Sequence, residues 1–186
     1  MPTNIAPATT AVFTDATLDT AAALAADAYR PVWTGPSGEE SSSETVARHL
    51  EATIALLNQE GWVRTYAQNT QKPTDEDLVD DDSMTIKQMV RALLRIVRAE
   101  IGDPLQPTLP LALNRIGVDG IHGDMDTVHV SLRVLDLIIR AHTGSDSASA
   151  TLWAERQHRT HADVTALLTA AASFARTYGP AARAAA

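Results

Sequence analysis

The sequence predicts an all-α, mainly helical fold of five or six helices in one domain, and three observations carry that reading. Apolar residues recur at spacings of three and four along several stretches, as the buried stripe of an amphipathic helix requires. Capping residues and glycines bracket those stretches. No internal repeat and no second composition regime divides the chain, and 186 residues at 45% hydrophobic content suffice for one core.

In chain order, residues 1–13 carry Pro2 and Pro7 and read as a flexible lead-in to a domain spanning 14–180. A first helix is expected over 15–29, with Leu18, Ala22, Ala25 and Tyr29 on one face. Arg30 to Ser43 collects Pro, Gly and Ser and reads as a linker, whose Trp33 is expected to fold back onto the core. Ser41 and Glu44 have capping-box spacing, and Val46, Leu50, Ile54 and Leu57 then trace a helical face ending at Gly61. Trp62 to Tyr66 is short and β-prone, so a small strand pair near Trp62 stands beside the alternative of an extended connector. Residues 68–83 form an acidic loop, in which Asp75, Glu76, Asp77, Asp80, Asp81 and Asp82 account for most of the formal net charge of −8.

Thr85 to Ile101 sorts most cleanly onto two helical faces. Ile86, Met89, Val90, Leu93, Val97 and Ile101 make an apolar stripe, while Lys87, Arg91, Arg95 and Arg98 lie along another side. Thr85 with Gln88 opens this helix, and Gly102 with Pro104 closes it. Pro110 is placed to open a short helix, and a glycine-punctuated turn follows over 117–124. From Asp126 to His142 the apolar face is Val128, Leu132, Leu135, Ile138 and Ile139; length favours helix over strand. Thr151 to Ala154 reads as an apolar connector. Thr160 and Asp163 then open a last helix whose face is Val164, Leu167, Leu168, Ala171, Phe174, Ala175 and Tyr178, before Gly179-Pro180 stops it. Residues 181–186 are expected to fray.

Three groups of residues bear on chemistry. The stripe of Lys87, Arg91, Arg95 and Arg98 is spaced to track negative charge on a nucleic acid or an acidic partner, against the simpler reading of a solvated helix face. His122, Asp124, Asp126 and His129 offer nitrogen and oxygen donors for a divalent metal, against the simpler reading that the acids cap a helix. Glu155, His158 and His161 form a second such cluster at a helix start, where the helix dipole disfavours cations. Trp33, Trp62 and Trp153 sit in connectors, either plugging the ends of the bundle or lining a pocket. P-loop, dinucleotide-binding, nucleophile-elbow and zinc-protease motifs do not occur, and no cofactor is expected. With no cysteine, disulfides, thiol catalysis and Cys-based metal sites are excluded.

HLEATIALLNQEGW over 49–62 and TLWAERQHRTHADVTALLTAAA over 151–172 resemble the two ends of a family of small actinobacterial proteins grouped as a domain of unknown function. The shared features are Gly61-Trp62, Trp153, Arg159-Thr160 and Val164. Members carry a cysteine-containing segment after Gly-Trp and Asn-Asp after the second Trp; here there is no cysteine, and Ala154-Glu155 follows Trp153. The resemblance implies a source and a helical frame, not an activity. The usage of arginine for thirteen of fifteen basic residues agrees with a GC-rich bacterial origin.

The function expected from these features is that of a non-enzymatic binding or adaptor protein acting through exposed helix faces on a macromolecular partner, self-association into a homodimer included. Nucleic-acid binding through the basic stripe and metal-dependent catalysis at 122–129 are the alternatives. The N-terminus lacks a basic, apolar leader, and no membrane-length apolar run occurs, so residence in the cytoplasm without membrane insertion is expected.

Overall fold

The computed structural model describes residues 12–65 and 106–181. Within them six helices form: α1 (Asp15–Ala26), α2 (Ser43–Glu60), α3 (Leu109–Asp119), α4 (Met125–Thr143), α5 (Ala150–Ala154) and α6 (His161–Tyr178). The predicted all-α class is what the structure shows. The predicted helix over 85–101, with Lys87, Arg91, Arg95 and Arg98, and the acidic loop over 68–83 lie outside the described residues, as do 1–11 and 182–186. Apart from Gln106, the described residues belong to one structural unit.

The centre of that unit is α4, which packs against each of the other five helices. Its sequence explains the position. Thr127, Val128, Val130, Ser131, Val134, Leu135, Leu137, Ile138 and Ile139 are all buried, so the apolar surface wraps most of the helix rather than one stripe. A helix of that kind is stable only when neighbours cover it on several sides. The most extensive pairing is α2 with α6, which brings Val46, Leu50 and Leu57 against the same core as Leu167, Leu168, Ala171 and Phe174.

Local signals place most helix ends. Thr14 Oγ1 accepts from Thr17 N at 3.3 Å to start α1. The N-cap of α2 is Ser42, one residue after the expected Ser41, with Oγ accepting from Thr45 N at 3.2 Å. Gly61 closes α2 with φ of 86°, a value that disfavours any residue with a Cβ. Pro110 falls in the first turn of α3, where its missing N–H costs nothing. At α6 the capping box is reciprocal: Asp163 N donates to Thr160 Oγ1 at 3.2 Å, and Thr160 N donates to Asp163 Oδ2 at 2.8 Å.

Three expectations are corrected. α1 ends at Ala26, and Tyr29 is 99% exposed rather than on its buried face, because the chain leaves the helix before Pro31. Among the described residues there is no strand near Trp62; Val63 N donates to Pro107 O at 3.2 Å, and the lone β-bridge joins Thr34 to Glu40. The stretch read as a connector at 151–154 is helix α5, capped by Ser149 Oγ, which accepts from Leu152 N at 3.3 Å.

The linker behaves as its composition predicts. Trp33 folds back and stacks on Phe174, with ring centroids 6.1 Å apart and planes 15° off parallel. Arg133 on α4 holds the linker by donating to Thr34 O at 2.6 Å and Pro31 O at 3.1 Å.

On the surface, Arg176 of α6 clasps α2. Its two terminal nitrogens meet Glu51 at 2.6 and 3.0 Å, and its Nε meets Glu44 at 3.2 Å. Glu51 and Glu44 raise the pKa of this guanidinium and are themselves held below the usual carboxylate range by it. Because the whole network faces solvent, salt screens it. Arg176→Ala is expected to lower the melting temperature at low ionic strength and to leave it almost unchanged in concentrated salt. A difference that persists undiminished at high salt, read by calorimetry, would assign the loss to packing instead.

Candidate functional site

The four residues of the 122–129 cluster fall around the start of α4. Asp124 is its N-cap: Oδ1 accepts from Thr127 N at 2.9 Å and from Thr127 Oγ1 at 3.0 Å. Those bonds, the backbone one foremost, hold the Asp124 carboxyl below its ordinary pKa. Asp126 faces the linker instead, accepting from Ser37 N at 3.2 Å and from the Ser37 hydroxyl. Gly35 permits this approach, since a Cβ there would stand 2.3 Å from Asp126 Cβ. His122 and His129 are exposed. His122 contributes its backbone carbonyl, which accepts from Nδ1 of the buried His49 at 3.1 Å.

Among the described residues, no group of three or more His, Asp or Glu side chains is placed to hold a metal ion. The sequence spacing brought the acids to one helix start; the fold then committed them to a cap and a loop anchor. A cleft of about 870 Å³ opens beside them, with Thr34, Ser42, Thr45, Asp124 and Asp126 in its wall. Several of its polar groups are engaged: Ser42 with Thr45, Asp124 with Thr127 and Asp126 with Ser37.

A different arrangement occurs where the chain leaving α2 passes the residues between α5 and α6. Gly61 turns the chain out of α2 and sends Trp62, Val63, Arg64 and Thr65 along a cleft of about 680 Å³, closed on its far wall by Glu155, Thr160 and His161. Arg64 Nε donates to the carbonyl of Arg159 at 3.0 Å, which ties the two walls. The Arg64 guanidinium lies 6.0 Å from the Trp62 ring centroid, and that of Arg159 lies 4.0 Å from the Trp153 ring centroid. Phe13 backs Trp153 at 5.9 Å and reaches His142 at 4.9 Å.

The polar atoms here are unusual. Among the described residues seven buried side-chain polar atoms lack a hydrogen-bond partner: four of them, Trp62 Nε1, Trp153 Nε1, Arg159 Nε and His161 Nε2, belong to residues linked around this junction, and a fifth, Thr165 Oγ1, belongs to the neighbouring groove that His161 also lines. A buried donor without an acceptor costs about 1–3 kcal/mol, so such atoms are rare and rarely gathered. Burial, aided by the nearby charge of Arg156, lowers the pKa of Arg159, while Asp163 acts the other way. His142 is also pushed below its ordinary value, by burial and then by Arg159.

Of the second predicted cluster, Glu155 and His161 both line this cleft, while His158 is exposed and outside its wall. The tryptophans divide between the two roles foreseen for them. Trp153 is 2% exposed and plugs the core, Trp33 stacks on Phe174, and Trp62 lines the cleft. Arg64 carried no sequence signal for this site. Trp62, Trp153 and Arg159 did stand out in the sequence, as marks of the family resemblance, yet nothing in their spacing indicated that they meet.

Among the described residues no helix is long and apolar enough to cross a membrane. No curated protein and no solved structure matches the chain. A family model described as a family of unknown function, DUF6197, matches residues 41–174, a span that holds α2 through most of α6 and both walls of the Trp62 cleft. With most of its length covered by that model, the chain belongs to the DUF6197 family of unknown function.

Proposed function

We propose that the protein is a non-enzymatic binding module of the cytoplasm, and that its recognition site is the Trp62 cleft. One observation carries the reading: Trp62, whose buried indole N–H has no acceptor, lines the cleft, and Arg64 on the same wall bonds the carbonyl of Arg159, whose own Nε is likewise unpartnered. Features that lower stability without improving packing are retained where a ligand uses them, because binding sites trade stability for recognition. The lack of cysteine fits a reducing compartment. The engagement of Asp124 and Asp126 in capping and loop contacts leaves metal catalysis at 122–129 without support from geometry. Nucleic-acid binding rests on Lys87, Arg91, Arg95 and Arg98, and a protein partner or a second copy on exposed helix faces; neither gains support from the described residues.

The test pairs stability with binding in one variant. Trp62→Phe keeps an aromatic ring and deletes the unpartnered N–H. Its midpoint in urea is expected to stay equal or rise, by up to about 1 kcal/mol, since an unsatisfied donor is removed. In a thermal-shift panel of small organic acids, phosphoesters and neutral aromatic compounds, at least one class should stabilise the parent protein and lose its effect in the variant. At ligand concentrations about a hundredfold above Kd the stabilisation should approach 2.7 kcal/mol. A variant that loses stability while no class distinguishes it from the parent would make Trp62 a packing residue only.

A further inference from the structure

We propose that the Trp62 cleft binds an oxyanion, a carboxylate or phosphate group, through the N–H groups of Trp62 and Arg159 with Arg64 closing over it. The inference rests on the binding reading above and adds the chemical class of the ligand.

Donor chemistry carries it. An indole N–H donates and never accepts, and a guanidinium likewise offers only donors. Trp62 Nε1, Trp153 Nε1 and Arg159 Nε are therefore three obligate donors, each buried and each without an acceptor. The unpartnered atom of His161 on the cleft wall, Nε2, can serve in either role. Nothing in this set demands a donor from a ligand; all of it accommodates acceptors. A group with several electron-rich oxygens meets that requirement, and charge-assisted hydrogen bonds to it are stronger than neutral ones.

Charge points the same way. In a chain of formal net charge −8, this junction places Arg64, Arg156 and Arg159 together. Of the acids nearby, Asp163 is 2% exposed and bound to the N-cap of α6, where it faces Thr160. Glu155 remains on the wall and opposes an anion, so the ligand's charged end belongs at the Trp62 and Arg159 side of the cleft. Desolvation of Arg159, evident in its lowered pKa, makes a paired anion more favourable there than at a hydrated arginine. The Arg64 side chain is exposed and its guanidinium lies 6.0 Å from the Trp62 ring centroid, so exchanging its bond to the Arg159 carbonyl for one to the incoming group closes the guanidinium over the site.

Nuclear magnetic resonance of the nitrogen-labelled full chain tests this, because the three indole N–H signals report Trp33, Trp62 and Trp153 separately once assigned by single Trp→Phe variants. The probes are acetate, inorganic phosphate and uncharged acetamide, at constant ionic strength. The expected result is a saturable downfield movement of the Trp62 signal with acetate, phosphate or both, while the Trp33 signal stays still. Movement with acetate alone assigns a carboxylate ligand, and movement with phosphate alone assigns a phosphate ligand. Arg64→Ala and Arg159→Gln should each weaken the response about tenfold, the loss of one charge-assisted hydrogen bond, and Arg159→Lys should recover part of it. Arg64 is exposed, so its variant keeps the test valid if Arg159→Gln unfolds the domain. Movement with acetamide and not with the anions overturns the oxyanion assignment and leaves the binding reading standing. Equal responses in the parent and both arginine variants overturn the assignment as well, and no movement with any probe overturns both.

Discussion

Trp153→Ala is expected to cost about 3–5 kcal/mol, a large part of the roughly 5–15 kcal/mol by which a domain is usually stable. Trp153 is 2% exposed and sits in the five-residue helix α5, which has no length to hold itself together without this anchor. Its ring lies under Arg159 at 4.0 Å and beside Phe13 at 5.9 Å. Truncation therefore opens a cavity and removes the surface on which the guanidinium rests. Trp153→Phe should lose much less, because the indole N–H it deletes has no acceptor, so part of the lost packing is offset by removal of an unsatisfied donor. Urea unfolding of both variants, with the slope checked for constancy, measures this. A loss under about 1 kcal/mol for the alanine variant would mean that the site collapses and that α5 is not anchored by Trp153.

Stability is expected to fall as pH drops below about 6.5, with His49 as the principal cause. His49 is completely buried on α2, and its Nδ1–H donates to His122 O. Burial pushes its pKa below the ordinary value, and the charge of His122 adds to this, while the carbonyls of His122 and Leu113 and the charge of Asp124 oppose it. A histidine whose folded pKa lies below its unfolded one binds protons more readily when unfolded. Its contribution is therefore fully present above about pH 6.5 and is lost as pH falls from there to the folded pKa, at about 1.4 kcal/mol for each unit between the two. His142, shifted the same way, adds a contribution of the same sign. The carboxylates lowered by their partners, Asp124, Glu44 and Glu51, act in a separate window below about pH 4.5.

His49→Leu should flatten the slope between about pH 6.5 and pH 5, and His142→Gln should flatten it further, while Asp136, whose carboxyl pKa is raised by burial, acts with the opposite sign in the parent and both variants. At about pH 8 the leucine variant should change stability little, by about 1 kcal/mol or less, since the lost bond to the carbonyl of exposed His122 is offset by removal of the buried, unpartnered Nε2. The clearest measurement is the urea midpoint of parent and variant at the two ends of that range. If the parent shows no loss on acidification, or if the leucine variant keeps the parent's slope, His49 is not the titrating group.

Much of this fold is legible in the sequence. The starts of α2 and α6 stand within one residue of their capping signals, and α3 begins where Pro110 allowed. The face predicted for α4 is buried except for Leu132, which is half-buried. α5 was missed because five residues are too few to show a helical period. Tyr29 was misplaced because a period continued past Ala26 looks the same as one that stops there. The candidate site was the harder part. His122, Asp124, Asp126 and His129 drew attention by spacing, and spacing alone says nothing of whether a carboxylate is already bound to a neighbour such as Ser37, far away in sequence.

What the sequence determined by itself was the helical class, most helix ends and the faces to be buried. Capping, glycine terminators and the 3.6-residue period are interactions within a few positions of each other, and so they are written locally. Tertiary structure alone decided that α4 lies at the centre and that Trp62, Arg64, Trp153, Arg159 and His161 share one end of the bundle. It also decided which polar atoms go without partners there. The Arg64 to Arg159 bond joins residues 95 positions apart, and hydrogen-bond satisfaction across such a distance depends on how whole helices pack, a property that no single stretch of chain contains.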